Sequence, residues 1–104
     1  MIYISSKERM SIDKFRAVIY NYIKENRLKY SDQRERVLKI LYSQSYPVSI
    51  DFLVKKLNET TKGIGYATVS RQIKFFQKLD MLEVVNKIPK GYLLKKNVDD
   101  SHIE

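Results

Sequence analysis

The groups best suited to contact a polyanion cluster in one stretch, "GIGYATVSRQIKFFQKL", residues 63–79. It offers a phenol at Tyr66, hydroxyls at Thr68 and Ser70 and a guanidinium at Arg71, with Lys74 and Lys78 following. Hydroxyls and guanidinium groups reach base edges, and arginine can bond guanine O6 and N7 together. Lysines act on phosphates as point charges. At about 100° per residue, Ala67, Arg71, Lys74 and Lys78 share one face of a helix, with Ser70 alongside. Val69, Ile73 and Phe76 share the other, with Leu79 at its edge. Such a helix is apolar behind and cationic in front. Small residues in its first turn let the backbone approach another surface closely, and free N–H groups there attract phosphate. Gly63 and Gly65 permit the backbone angles of a sharp turn before it.

Catalytic chemistry finds little to work with. The 104 residues include no cysteine and a single histidine, His102. That removes disulfides, thiolate nucleophiles and cysteine-based metal sites, and fits a reducing compartment. There is no glycine-rich phosphate cradle, and the only adjacent acidic pair is Asp99 and Asp100. Glu35, Asp51 and Glu83 lie where helix-end or solvent-facing charge accounts for them. Nothing in the spacing of Asp99, Asp100, His102 and Glu104 demands a metal. The expectation is a non-enzyme with no catalytic residues, no metal site and no cofactor.

A formal charge of +8, at 43% hydrophobic and 31% charged residues, describes a globular chain biased toward a polyanionic partner. Nucleic acid is the first such partner and an anionic membrane surface the second. No apolar run approaches the ~20 residues of a membrane span. The opening "MIYISSKER" is too short an apolar run for a signal peptide. The chain is therefore expected in the cytoplasm, without membrane attachment. Its length suits one domain over 1–104, with 1–10 as an amino-terminal extension and 97–104 as a polar tail.

The elements that must hold the basic helix are also legible. Ser11 can cap a helix over 11–26 with Ile12, Phe15, Val18 or Ile19, Tyr22 and Ile23 on one face. Ser31 can cap a second, with Val37, Leu38, Leu41 and Tyr42 inward, ending before Pro47. Ser49 can cap a third, with Ile50, Leu53, Val54 and Leu57 as its stripe and Asp51 favoured by the dipole in its first turn. The basic helix over 66–79 is the fourth. The period then changes from 3.6 toward 2 in "LEVVNKI" and "YLLKK", around a turn at 89–91, which reads as a hairpin over 82–95. The expected class is α+β, mainly α: a winged helix-turn-helix of three to four helices followed by a two-stranded β-hairpin wing.

The segments "LKYSDQRERVLKIL", "VSIDFLVKKL" and "IGYATVSRQIKFFQKLDMLEVV" resemble the amino-terminal winged-helix DNA-binding domain of the ferric uptake regulator (Fur) family. The resemblance runs over residues 11–94. Its most specific pieces are Gln33-Arg34 and Ala67-Thr68-Val69 with Arg71. It implies a sequence-specific regulator of transcription that reads double-stranded DNA with the helix at 66–79. By likeness Arg71 is a DNA contact, Lys29 a basic position reaching the minor groove, and Arg34 a phosphate contact. Tyr66, Ala67, Thr68, Ser70 and Arg71 head the recognition helix, with Lys74, Lys78, Lys87 and Lys90 supplying groove electrostatics.

The departures are specific. Ser70 stands where the family usually has tyrosine. Asp80 replaces a glycine, which a left-handed aspartate can do. Tyr46 and Pro47 stand where relatives carry histidine, and Leu93 where they carry glutamate. The family's metal-binding and dimerisation domain has no counterpart here, so metal sensing is not expected of this chain as it stands. A second copy, joined through helix 11–26 or the amino-terminal segment, is the other expected partner. The competing readings are a winged-helix protein–protein interaction module and a fragment of a longer metal-dependent repressor.

Overall fold

A computed structural model describes residues 2–98. A short 3-10 turn, Ser6–Glu8, precedes α1 (Ile12–Glu25), α2 (Asp32–Tyr42), α3 (Ile50–Asn58) and α4 (Tyr66–Lys78). Strands β1 (Leu82–Val85) and β2 (Gly91–Leu94) close the order as an antiparallel pair, Leu82 opposite Leu94 and Val85 opposite Gly91. This is a winged helix-turn-helix.

Local chemistry sets the helix ends. Ser31 Oγ accepts from the Arg34 N–H at 3.2 Å and Ser49 Oγ from the Phe52 N–H at 3.1 Å, each satisfying an orphan donor of its first turn. Ser11 caps α1 with its backbone alone, its carbonyl accepting from the Lys14 N–H at 3.0 Å. At the carboxyl ends, α1 and α4 finish with the same device. The Arg27 N–H bonds the Lys24 carbonyl and the Leu28 N–H that of Ile23; Asp80 and Met81 do likewise with Gln77 and Phe76. Arg27 and Asp80 thereby sit at φ 53° and 58°, the left-handed position usually given to glycine. The left-handed aspartate expected at Asp80 is what the fold uses, and the Lys95 ammonium bonds its carboxylate at 2.8 Å.

The core gathers Phe15, Val18 and Ile19 of α1, Val37, Leu38 and Leu41 of α2, and Ile50, Leu53 and Leu57 of α3. Val69, Ile73 and Phe76 of α4 meet them, with Met81, Leu82, Tyr92 and Leu94 from the hairpin. Leu93 alternates to the opposite face of β2 from Tyr92 and Leu94 and is buried as well, so both faces of the strand are covered.

Four features lie outside the expectations. Val48 pairs with Tyr92 through two backbone bonds of 2.9 and 2.8 Å, so the segment before α3 adds a bridge to the wing. Gly91 opens β2 instead of belonging to the turn, because Pro47 lies against it; a Cβ on Gly91 would stand 2.8 Å from the Pro47 Cβ. The amino-terminal segment is also packed: Ile4 is buried and its N–H bonds the Ser45 carbonyl at 3.0 Å. Arg9 is buried too, its guanidinium donating to the carbonyls of Leu94, Tyr42 and Gln44 at 3.1, 2.9 and 2.7 Å. Val98, in the segment read as a polar tail, packs half-buried on the core, while Asp99, Asp100, His102 and Glu104 lie outside the described residues.

Candidate nucleic-acid interface

Two constraints fix α4. Its rear is buried through Val69, Ile73 and Phe76, joined by Gln72. Its approach is fixed by Asn58, the last residue of α3. Asn58 Oδ1 accepts from the N–H groups of Gly63 and Ile64 at 2.9 and 3.2 Å, and its Nδ2 donates to the carbonyls of Ile64 and Val54 at 2.7 and 2.8 Å. One amide side chain thus closes the α3–α4 turn, while Gly63 takes the left-handed angle, φ 87°, that the turn requires. Gly65 has a different use. It is the N-cap, at an ordinary extended φ of −101°, and open space lies where its Cβ would be. Gly65 therefore sets no capping side chain over the first N–H groups of α4.

On the front of α4, Tyr66, Ala67, Arg71, Lys74 and Lys78 are exposed, and Thr68 and Ser70 lie half-buried at the flank. The first turn carries no acid. Arg71 makes one long contact, Nη2 to Thr68 Oγ1 at 3.4 Å, and has no ion-pair partner among the described residues. The wing turn, residues 86–90, is exposed throughout and presents Lys87 and Lys90. Pro89, Lys90 and Tyr92 share a cleft of about 190 Å³ with Tyr66 and with Ser49, Ile50 and Asp51 at the head of α3. The wing and the head of α4 therefore open onto the same side. Asp51 places one acid on that rim.

Lys29, in the connector between α1 and α2, and Arg34, in the first turn of α2, differ in their surroundings. Lys29 is exposed. Arg34 is half-buried, with its guanidinium stacked on the Phe75 ring at 4.0 Å and its Nε buried without a hydrogen-bond partner among the described residues. Burial pulls its pKa below the ordinary arginine value. Its Nη1 donates to the Lys29 carbonyl at 3.4 Å, so Arg34 ties the connector to α2 and α4. Phe75 in turn meets Tyr22 of α1 edge-on at 5.6 Å.

A sequence model of the Ferric uptake regulator family matches residues 25–103. The chain belongs to the ferric uptake regulator family. It is 30% identical over 61 residues to the ferric uptake regulation protein of Staphylococcus aureus, across several strains; the shared region is 59% of this chain and 45% of that protein. The chain thus spans under half the length of these curated relatives. Among solved structures it is similar to the Helicobacter pylori ferric uptake regulator Fur, which has three functional metal-binding sites. The TM-score there is 0.78 at 22% identity, covering 86% of this chain and 61% of that one. A manganese uptake regulator gives 0.60 at 17% identity, over 71% and 56% of the two chains. The Fur family model begins at residue 25, the last residue of α1.

Tyr46, Pro47 and Leu93, named above as departures from the resemblance, each make contacts within the fold. Tyr46 meets Tyr3 edge-on at 5.0 Å, Pro47 fills the space over Gly91, and Leu93 is fully buried. None of these offers a metal donor of the family's kind, and no group of three or more His, Cys, Asp or Glu among the described residues could hold a metal ion. The apolar stripe of α1, considered above as a dimer surface, turns inward: Phe15 and Ile19 are buried, and Ile12, Tyr22 and Ile23 pack partly buried on the core. Tyr20, Ile2 and Tyr3 remain exposed. No helix among the described residues is long and apolar enough to cross a membrane.

Three residues of consequence escaped the sequence. Arg9 and Asn58 act through backbone carbonyls and amides that no pattern of residue types reveals, although an asparagine just before a glycine turn is a recognisable helix-end signal. The third is Ile88, at the wing tip.

Proposed function

We propose that this chain is a sequence-specific, double-stranded DNA-binding regulator of transcription, with α4 in the major groove and the hairpin as its wing. The observation that carries the reading is the uncapped head of α4, with Tyr66, Ala67 and Arg71 exposed, opening onto the same cleft as the wing turn. A helix whose first turns lead needs no side chain in front of its N–H groups, and here there is none. Arg71, Thr68 and Ser70 read bases; Lys74, Lys78, Lys87, Lys90 and Lys29 meet phosphates. Arg34 positions Lys29 from behind. The family membership supports the same role, since the relatives are metal-uptake regulators by name.

On this reading binding by this chain needs no metal, since Tyr46, Pro47 and Leu93 carry neither the imidazole nor the carboxylate that the resemblance would place there. EDTA should leave its affinity unchanged. One small module buries only ~600–1,000 Å² on DNA, so tight binding needs two half-sites. A second copy would pair through Tyr20 of α1 or through Ile2 and Tyr3, apolar residues that these two segments leave exposed.

The test is selection from random duplexes by gel shift at fixed salt, with Arg71→Glu as control and oligomeric state measured alongside. Wild type should enrich a common sequence. Arg71→Glu should bind it at least about a hundredfold more weakly, losing a base contact of ~1–3 kcal/mol and adding repulsion. Equal retention of all duplexes by both proteins would refute the reading.

A further inference from the structure

Ile88 is the most exposed large apolar residue among those described, with relative exposure of 103%. Single apolar residues on a surface are ordinary. The surroundings of this one are not. It stands in the turn "NKIPK", residues 86–90, between Lys87 and the Pro89-Lys90 pair, and the turn contains no acid. Pro89 and Lys90 line the cleft shared with Tyr66 at the head of α4. The wing tip is therefore an apolar point inside a cationic collar, on the side where α4 presents its uncapped end. The matching surface has apolar walls and a floor flanked by negative charge. The minor groove of duplex DNA is such a surface, with sugars lining it and phosphates along both rims. Branched aliphatic and proline side chains enter it by wedging against a base step and partly unstacking it.

We propose that Ile88, backed by Pro89, is an apolar wedge that enters the minor groove beside the major-groove segment read by α4, while Lys87 and Lys90 hold the flanking phosphates. This rests on the DNA-binding reading above and adds a second, shape-dependent source of specificity to it: steps that unstack easily, such as TA, are favoured under the wing.

The experiment uses the full chain and the duplex enriched by wild type, with 2-aminopurine placed at successive positions flanking the protected segment. Wild type should raise the fluorescence of one flanking step. Ile88→Ala should abolish that rise, bind about tenfold more weakly from the lost apolar contact, and keep the same dependence on salt. Ile88→Leu should retain the rise. Lys90→Ala should keep the rise but lower the salt slope by about one. Because Ile88 touches nothing in the fold, its variants should melt like wild type. Ile88→Ala binding as tightly as wild type, or no fluorescence change at any flanking position, overturns the wedge while Arg71→Glu still reports on the DNA-binding reading. Failure of wild type to bind any duplex overturns both.

Discussion

Arg9 and Arg71 carry the same charge and meet opposite surroundings. The Arg9 guanidinium is buried and donates to three carbonyls, those of Tyr42 and Gln44 at the carboxyl end of α2 and that of Leu94 on the wing strand. These include the negative end of a helix dipole, which offers a cation an uncharged site. Desolvation lowers its pKa, and the nearby Tyr42 and Glu8 oppose the shift. Arg71 has one long contact and open solvent. The difference shows that a basic composition does not say which cations are available to a partner. A positive charge is available when the backbone around it has no spare carbonyls to offer.

The largest way to break this contrast is Arg9→Met. It keeps the apolar stem and removes every donor, leaving three carbonyls short of partners. The loss should be about 3 kcal/mol in a urea titration, since hydrogen bonds from a charged group contribute ~1.5–3 kcal/mol each and water re-solvates part of what is exposed. The thermal midpoint should fall by about 10 °C or more. DNA affinity of the folded fraction should be unchanged. A loss below about 0.5 kcal/mol would mean that Arg9 only decorates the surface of the arm.

How much of this was legible depended on whether the signal lay in side-chain types or in backbone groups. The serines at 11, 31 and 49, the apolar stripes and the change of period after Leu79 placed α1 to α4 and the hairpin. Side-chain identity decides burial along the stripes and capping at Ser31 and Ser49, whereas Ser11 caps through its backbone. The cationic front of α4 was equally legible, because Arg71, Lys74 and Lys78 are separated by helical spacings. The packed arm was not. "MIYISSKERM" reads only as an amino-terminal extension, since the partners of Arg9 and Ile4 are carbonyls of residues far along the chain. Nor was the distinct use of Gly91, where a close approach by Pro47 replaces the expected turn angle. Arg34 is a further case: the resemblance implies a phosphate contact, and no spacing announces its stacking partner Phe75, 41 positions away in sequence.

Arg34 sharpens the contrast because it stands between the two extremes. Arg34→Ala should cost about 1 kcal/mol of stability, from the lost stack on Phe75 less the relief of an unbonded Nε. Its effect on DNA affinity should stay within about tenfold, exerted through the Lys29 connector. Arg34→Lys separates the roles. Lysine keeps the charge but not the planar stack. If the guanidinium works by stacking, lysine restores DNA binding only to the extent that it restores stability. Full recovery of binding with stability still reduced would make Arg34 a direct phosphate contact.

The smallest expected effect is one of pH, and it falls on the arm alone. The Glu8 carboxylate accepts from the Ser5 N–H at 3.1 Å and pairs with Lys96 at 3.3 Å. The backbone bond from Ser5, then Lys96, lower its pKa from the ordinary 4.5. A carboxyl whose folded pKa is depressed contributes stability above its unfolded value and loses it as pH falls through the folded one. The arm should therefore loosen slightly on acidification below about pH 4.5, read as faster amide exchange around Ser5 and Met10. Glu8→Gln should remove that pH dependence. The first turn of α4, which has no acid, should show no parallel change. An equal acid response at both places would mean that the whole domain, not the Glu8 contact, is responding, and the arm would lose its claim to be a separately pinned element.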